Sequence, residues 1–202
     1  MLRVRWDHLG EPREQAARLI GSASGMCLLT VEFGSGGDGT QLPWSAVEPL
    51  TRSRAVTLAV VEGSVSSPAL DIAACCDLVC LQQDARLCLA AGAGPPSPPV
   101  IWALGRAGRR ALARGLLSTA DCDAPEALEI GIAHLVFEDR ADLPVLGPAS
   151  LNAVTTARDL VRSAVPGSAG MALELASFRL MFAAGDPAEG ATAFLEKRDP
   201  AF

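Results

Sequence analysis

Short apolar runs of strand length alternate along the chain with stretches whose apolar residues recur at helical spacing, and this alternation predicts an α/β domain. Met1–Trp6 reads as a strand. Glu11–Ile20 carries Ala16, Ala17, Leu19 and Ile20 on one side and charges on the other, and reads as a helix ending near Gly21. Met26–Phe33 is the next strand, running into the glycine-rich loop Gly34–Gly39. A short helix over Pro43–Arg54 and a strand over Ala55–Val61 follow. Ser67–Cys76 is small and apolar throughout, so as a helix it must be buried on nearly all sides. Asp77–Leu81 and Arg86–Leu89 return as strands. Gly92–Pro99 holds four prolines and two glycines in eight residues and is expected to be irregular. Beyond it, helices are expected over Ile101–Leu117, Pro125–Ile130, Ser150–Val165, Ala169–Ala184 and Ala188–Lys197, with one strand at Ala133–Phe137. The pattern divides the chain into an α/β core over residues 1–140 and a helical region over residues 141–202.

Composition narrows the function classes. Half of the 202 residues are apolar, enough for a substantial core and too many for a disordered chain. Seventeen basic against 23 acidic residues leave a net charge of −6, and with no segregated basic tract in view a nucleic-acid footprint is not expected. No apolar run approaches the roughly 20 residues of a membrane span, and no apolar leader follows Arg3 and Arg5, so a soluble, cytoplasmic protein is expected. The six cysteines form no paired C-x-x-C pattern; they read as reduced, buried thiols, and no metal site is expected. His8 and His134 sit in no nucleophile motif and read as structural. Gly34–Gly39 lacks the Gly-Lys-Ser/Thr ending of a phosphate loop. Trp6, Trp44 and Trp102 are scattered in sequence and read as packing residues rather than a stacking platform.

Several segments together resemble the crotonase superfamily, the enoyl-CoA hydratases and isomerases. They are Ala55–Gly63 with Ser64–Ala69, Leu70–Leu78, Asp84–Leu87, Gly105–Arg110, Leu116–Val136 and the tail Asp186–Phe202, roughly two thirds of the chain. The resemblance implies a spiral of ββα units with an α-helical C-terminal trimerisation region. It implies a site for acyl-thioesters of coenzyme A or of a carrier protein's phosphopantetheine, these arriving as substrate and not as a resident cofactor. In that chemistry two backbone N–H groups receive the charge of a thioester enolate while side chains move protons. The resemblance places the first N–H at Pro68, which has none to give, with Ser67 or Ala69 as neighbours in register. It places the second in the shortened Gly34–Thr40 loop, at Gly36 or Gly37. Of the two family carboxylates, Asp71 falls on the first position and Ala91 on the second, leaving Asp71 as the acid/base candidate and ruling out hydration by paired glutamates. Ser66 and Ser67 either face the thioester pocket or cap the buried helix. Phe194 and Lys197 match a Phe-x-x-Lys step that contacts coenzyme A; the bland alternative is the apolar face and charged end of a terminal helix.

Two functions are compatible with these residues. One is a divergent acyl-thioester protein carrying out dehydration, isomerisation or decarboxylation, similar to short accessory proteins of polyketide and dihydroxyphenylglycine-type pathways in secondary metabolism. The other is a catalytically silent crotonase-fold subunit that supports a partner biosynthetic enzyme. Expected partners are an acyl-thioester or acyl carrier protein, and the expected assembly is a homo-trimer or hetero-oligomer.

Overall fold

The computed structural model describes residues 2–6, 11, 14–15, 17–18, 28–53, 55–90, 95–118, 120–143, 150–162 and 168–201, with backbone only at 2, 151 and 168–174. Half of the helix expected over Glu11–Ile20, together with His8, Cys27 and Ala91, lies outside the described residues. The chain forms two units, Met1–Pro144 and Val145–Phe202.

The first unit is built on a parallel sheet of five strands: β1 (Leu2–Arg5), β2 (Leu28–Phe33), β3 (Val56–Val61), β5 (Leu78–Gln82) and β8 (Leu135–Phe137), adjacent in that order. β3 is apolar without alternation because both of its faces are covered. A second small sheet joins β4 (Ser64–Val65) to β6 (Arg86–Leu87) in parallel and β6 to β7 (Cys122–Asp123) antiparallel. Gly36 adds a parallel bridge to Val65.

The chain therefore climbs in turns, each laying one strand in each sheet and then a helix. β2, Gly36 and α1 (Trp44–Thr51) make the first turn; β3, β4 and α2 (Ala69–Ala74) the second; β5, β6 and α3 (Pro98–Ala107) the third. α4 (Arg109–Leu117) and α5 (Ala124–Glu129) follow before β8. The core between sheet and helices includes Leu29, Val31, Phe33, Val47, Val61 and Leu104.

The structure corrects several expectations. The helix expected over Ile101–Leu117 is two helices, because Gly108 takes φ 118°, a conformation that breaks α3 from α4. α3 also begins inside the proline-rich stretch expected to be irregular. Pro98 and Pro99 occupy its first positions, where their missing N–H groups cost nothing, and Ser97 caps it by accepting from Val100 N–H. Ser66 and Ser67 do not cap α2: its N-cap is Pro68, without a side-chain cap. Trp44 and Trp102, distant in sequence, are brought together with ring centroids 5.4 Å apart.

Side-chain ties lock the strand ends. At the start of β3, Thr57 N–H and Oγ1 both donate to Asp77 (2.9 Å each), and Asp77 N–H donates to Thr57 Oγ1 at 2.8 Å. At the other end Arg140 donates from Nε and Nη2 to Glu62 (2.6 and 2.8 Å) and from Nη1 to Glu32 (2.9 Å). This fork holds the Glu62 carboxyl below its ordinary pKa. Cys75, Cys76, Cys80 and Cys122 are buried free thiols, and Cys88 is half-buried. Burial pushes the Cys80 and Cys88 thiols up to about 11 and Cys122 to about 12, so these thiols are inert at neutral pH.

His134 closes the β5–β8 edge. Its N–H donates to Val79 O (2.8 Å) and its Nδ1 accepts Val79 N–H (3.0 Å), a bond only the neutral imidazole can accept. Desolvation of the ring, outweighing the nearby Asp77 charge, lowers its pKa below the usual 6.5 although part of the residue is exposed. In the unfolded chain the ring takes its proton near 6.5, before the folded ring does. This residue's contribution is therefore complete above that value and is lost as pH falls from about 6.5 toward the lower folded pKa. The drop in urea-unfolding stability between pH 7.5 and 5.5 should shrink in His134→Asn, which keeps an acceptor and cannot titrate. An unchanged drop would remove His134 as its source.

The second unit holds α6 (Leu151–Arg162), α7 (Ser168–Ala183) and α8 (Asp186–Glu196), with the start of α6 tied to the start of α8. Ser150 Oγ accepts Ala153 N–H and donates to Asp186. Beyond α8, Arg198 donates to Glu189 from Nη1 and Nη2 (2.6 and 3.1 Å), folding the tail back onto the helix. Among the described residues no helix is long and apolar enough to cross a membrane.

Candidate functional site

The residues singled out in the first unit converge on one place, where the loop after β2, the segment after β4 and the start of α3 meet. Asp71, on α2, is the centre. Its side chain is fully buried. Oδ2 accepts Leu42 N–H at 2.6 Å, and Oδ1 accepts the hydroxyls of Ser67 (2.8 Å) and Ser97 (2.5 Å). One carboxylate thus fastens three segments that are remote in sequence. Burial raises the Asp71 pKa above the ordinary carboxylate value, against the three hydrogen bonds, which lower it. Ser67 and Ser97 are themselves buried, and both hydroxyls point at this acid.

The two segments expected to supply backbone donors are stitched together. Gly36 N–H donates to Ser64 O (2.9 Å), Ser66 N–H to Gly36 O (3.0 Å) and Gly39 N–H to Ser67 O (3.0 Å). Gly36 is therefore committed to the small sheet. Gly37 takes φ 114° and lies so close to its neighbours that a Cβ there would stand 2.7 Å from Ser66 O and 2.8 Å from Ser67 O. Across from it, Pro68 follows a cis peptide bond from Ser67 and has no N–H. The N–H groups of Gly37 and Ala69 donate to no described residue.

Behind α2, toward β6 and α3, the interior is filled. An apolar cavity of about 10 Å³ remains, lined among others by Leu70, Ala73, Leu87, Val100 and Leu104. Such a space has no polar partner to hold a water and no room for an acyl chain.

The arrangement favours bracing over proton transfer. A general base must come within hydrogen-bond reach of the proton it removes, and Asp71 meets Leu42, Ser67 and Ser97 instead. Sequence reasoning found Asp71 and Ser67 and missed Ser97 and Leu42. Ser97 was hidden in the proline run, where a serine directly before Pro-Pro is itself the signal of a capped helix start. The Leu42 contribution is a backbone N–H and leaves no sequence signal.

Phe194 and Lys197 lie on the second unit, at the end of α8. Phe194 is 83% exposed, and Lys197 closes the helix in the left-handed conformation with no ion pair among the described residues. Among the described residues no cluster of His, Cys, Asp and Glu could hold a metal ion.

No protein-family model and no curated protein matches the sequence. Solved structures do match. The chain superposes on an enoyl-CoA hydratase from Shewanella pealeana with a TM-score of 0.77 and 19% identity, over 98% of this chain and 87% of the other. A hydratase/isomerase family protein from Hyphomonas neptunium gives 0.77 and 18%, over 100% and 94%. An enoyl-CoA hydratase subunit I from Geobacillus kaustophilus gives 0.74 and 21%, over 95% and 86%. The chain therefore has the crotonase fold, the fold of the enoyl-CoA hydratases and isomerases.

Proposed function

We propose that this chain is a catalytically silent crotonase-fold subunit that supports a partner biosynthetic enzyme. One observation carries this reading: Asp71, the carboxylate left at the acid/base position, is fully buried with both oxygens engaged by the protein's own donors. The missing N–H of Pro68 supports it, since loss of one oxyanion donor alone costs about a hundredfold or more in rate. The likeness to accessory proteins of secondary metabolism makes a polyketide-type enzyme the natural partner. The test is turnover of crotonyl-CoA by wild type and by a folded Asp71→Asn variant. No turnover by either is the expected result. Turnover by wild type would overturn the proposal, and a fall of about a hundredfold in the variant would assign that turnover to Asp71.

A second reading, retained acyl-thioester binding, is favoured by the N–H groups of Gly37 and Ala69, which donate to no described residue, and by the exposed Phe194 and Lys197. The proteins it superposes on are enoyl-CoA hydratases by name. On this reading calorimetry with coenzyme A and a short acyl-CoA gives micromolar binding, weakened about tenfold by Lys197→Ala, the size of one charge-assisted phosphate contact. No heat with either ligand would leave only the silent subunit or delivery by a carrier protein.

A further inference from the structure

The sequence as a whole is acidic and was expected to lack a segregated basic tract, but the fold makes one. Over Ile101–Ser118, the hairpin of α3 and α4, there are four arginines (Arg106, Arg109, Arg110 and Arg114) and no acid, in a chain of net charge −6. Two of the four are neutralised from α5: Arg110 by Glu129 at 3.1 Å and Arg114 by Glu126. The acid on α1, Glu48, is held by Arg52 at 2.8 Å. Arg106 and Arg109 have no carboxylate partner among the described residues, and both are exposed. The Arg106 guanidinium lies 5.0 Å over the Trp102 ring, which packs in turn on Trp44. Ile101, also exposed, stands beside Trp102 on α3.

We infer that Trp44, Ile101, Trp102, Arg106 and Arg109 form a docking face for an acidic helical surface of a partner protein. Half-buried tryptophans beside unpaired arginines are the residue types that dominate binding energy at interfaces, and the surplus positive charge on an otherwise acidic molecule selects an acidic partner and orients it. The face connects to the braced site. α3 starts at Ser97, which holds Asp71, and Trp44 stands two residues beyond Leu42, which holds it too. A partner seated here presses on the two elements that the Asp71 brace joins. The inference adds the chemistry of the partner to the proposed function and rests on that reading only for the partner's role.

The experiment uses the full chain and a helical peptide presenting a row of glutamates, with its glutamine counterpart as control. Tryptophan fluorescence reports directly, because Trp44 and Trp102 form the face while Trp6 is buried against Phe33. The expected result is saturable binding of the glutamate peptide, weakened by salt, weakened at least about tenfold in R106E/R109E, and unchanged in R179E on α7, with urea unfolding unchanged in both variants. Absence of saturable binding, equal loss in R179E, equal binding of the glutamine peptide, or tighter binding of duplex DNA or anionic vesicles would each overturn it. Crotonyl-CoA turnover by wild type would sink the silent-subunit reading and leave this result standing, so the two failures are distinguishable.

Discussion

Asp71→Ala is expected to lower the unfolding free energy by about 3 kcal/mol, followed in urea through tryptophan fluorescence, since all three tryptophans lie in the first unit. The carboxylate satisfies a backbone N–H and two buried hydroxyls, and alanine would leave three donors facing apolar surroundings. Each stranded donor costs about 1–3 kcal/mol; relief of the buried charge's desolvation offsets part of that sum. In a chain of this length the loss corresponds to a fall of roughly 10 °C in Tm. Asp71→Asn should cost less, about 1 kcal/mol, because the amide oxygen can keep Leu42 N–H while the serine hydroxyls rotate to accept from the amide nitrogen. An alanine variant within about 1 kcal/mol of wild type would show that Asp71 is not a brace. It would return the residue to the list of acid/base candidates. Ser97→Ala removes one donor and the cap of α3 together, and its effect should fall between the two.

The order of the expected effects explains what the sequence could show. β3 was legible because an unbroken apolar run of strand length has few alternatives in a parallel sheet covered on both faces. The buried α2 helix was legible from its small, apolar composition. What stayed hidden depended on tertiary pairing. β4 and β7 are two residues long and exist only because the turns of the spiral bring them beside β6, which the chain pattern had already offered as the strand Arg86–Leu89. Trp44 and Trp102 meet because α1 and α3 pack, and the basic face emerges because α5 neutralises two arginines of α4 and leaves Arg106 and Arg109. At the site, Asp71 was found as a residue type at a position. Its role follows from burial and three donors, which no pattern along the chain encodes.

Gly37→Ala should be about as damaging as the loss of Asp71, at about 3 kcal/mol, for a reason that involves no lost side chain. At φ 114° an L residue is strained, and its Cβ would meet Ser66 Oγ at 2.3 Å and the carbonyl oxygens of Ser66 and Ser67 at 2.7 and 2.8 Å. The serine hydroxyl can rotate away. The two carbonyls cannot, since Ser66 O accepts Leu70 N–H and Ser67 O accepts Gly39 N–H, each at 3.0 Å. The loop would have to lift off the Ser64–Ser67 segment, breaking the Gly36 and Gly39 bonds that define the first turn of the small sheet. Gly39→Ala is the control: φ is 81°, but nothing lies within 4 Å of the added Cβ, so strain alone should cost about 1 kcal/mol. Equal losses at the two positions would mean that the close approach at Gly37 is absent. The same pair separates the two functional readings. On the acyl-thioester reading an oxygen atom of the ligand would have to reach the Gly37 and Ala69 N–H groups at this crossing, whereas a silent subunit needs only the fold that the crossing holds. If the acyl-thioester reading holds, Gly37→Ala abolishes coenzyme A thioester binding at urea concentrations where the variant is still folded and Gly39→Ala retains it. If the chain is silent, both variants differ from wild type in stability alone.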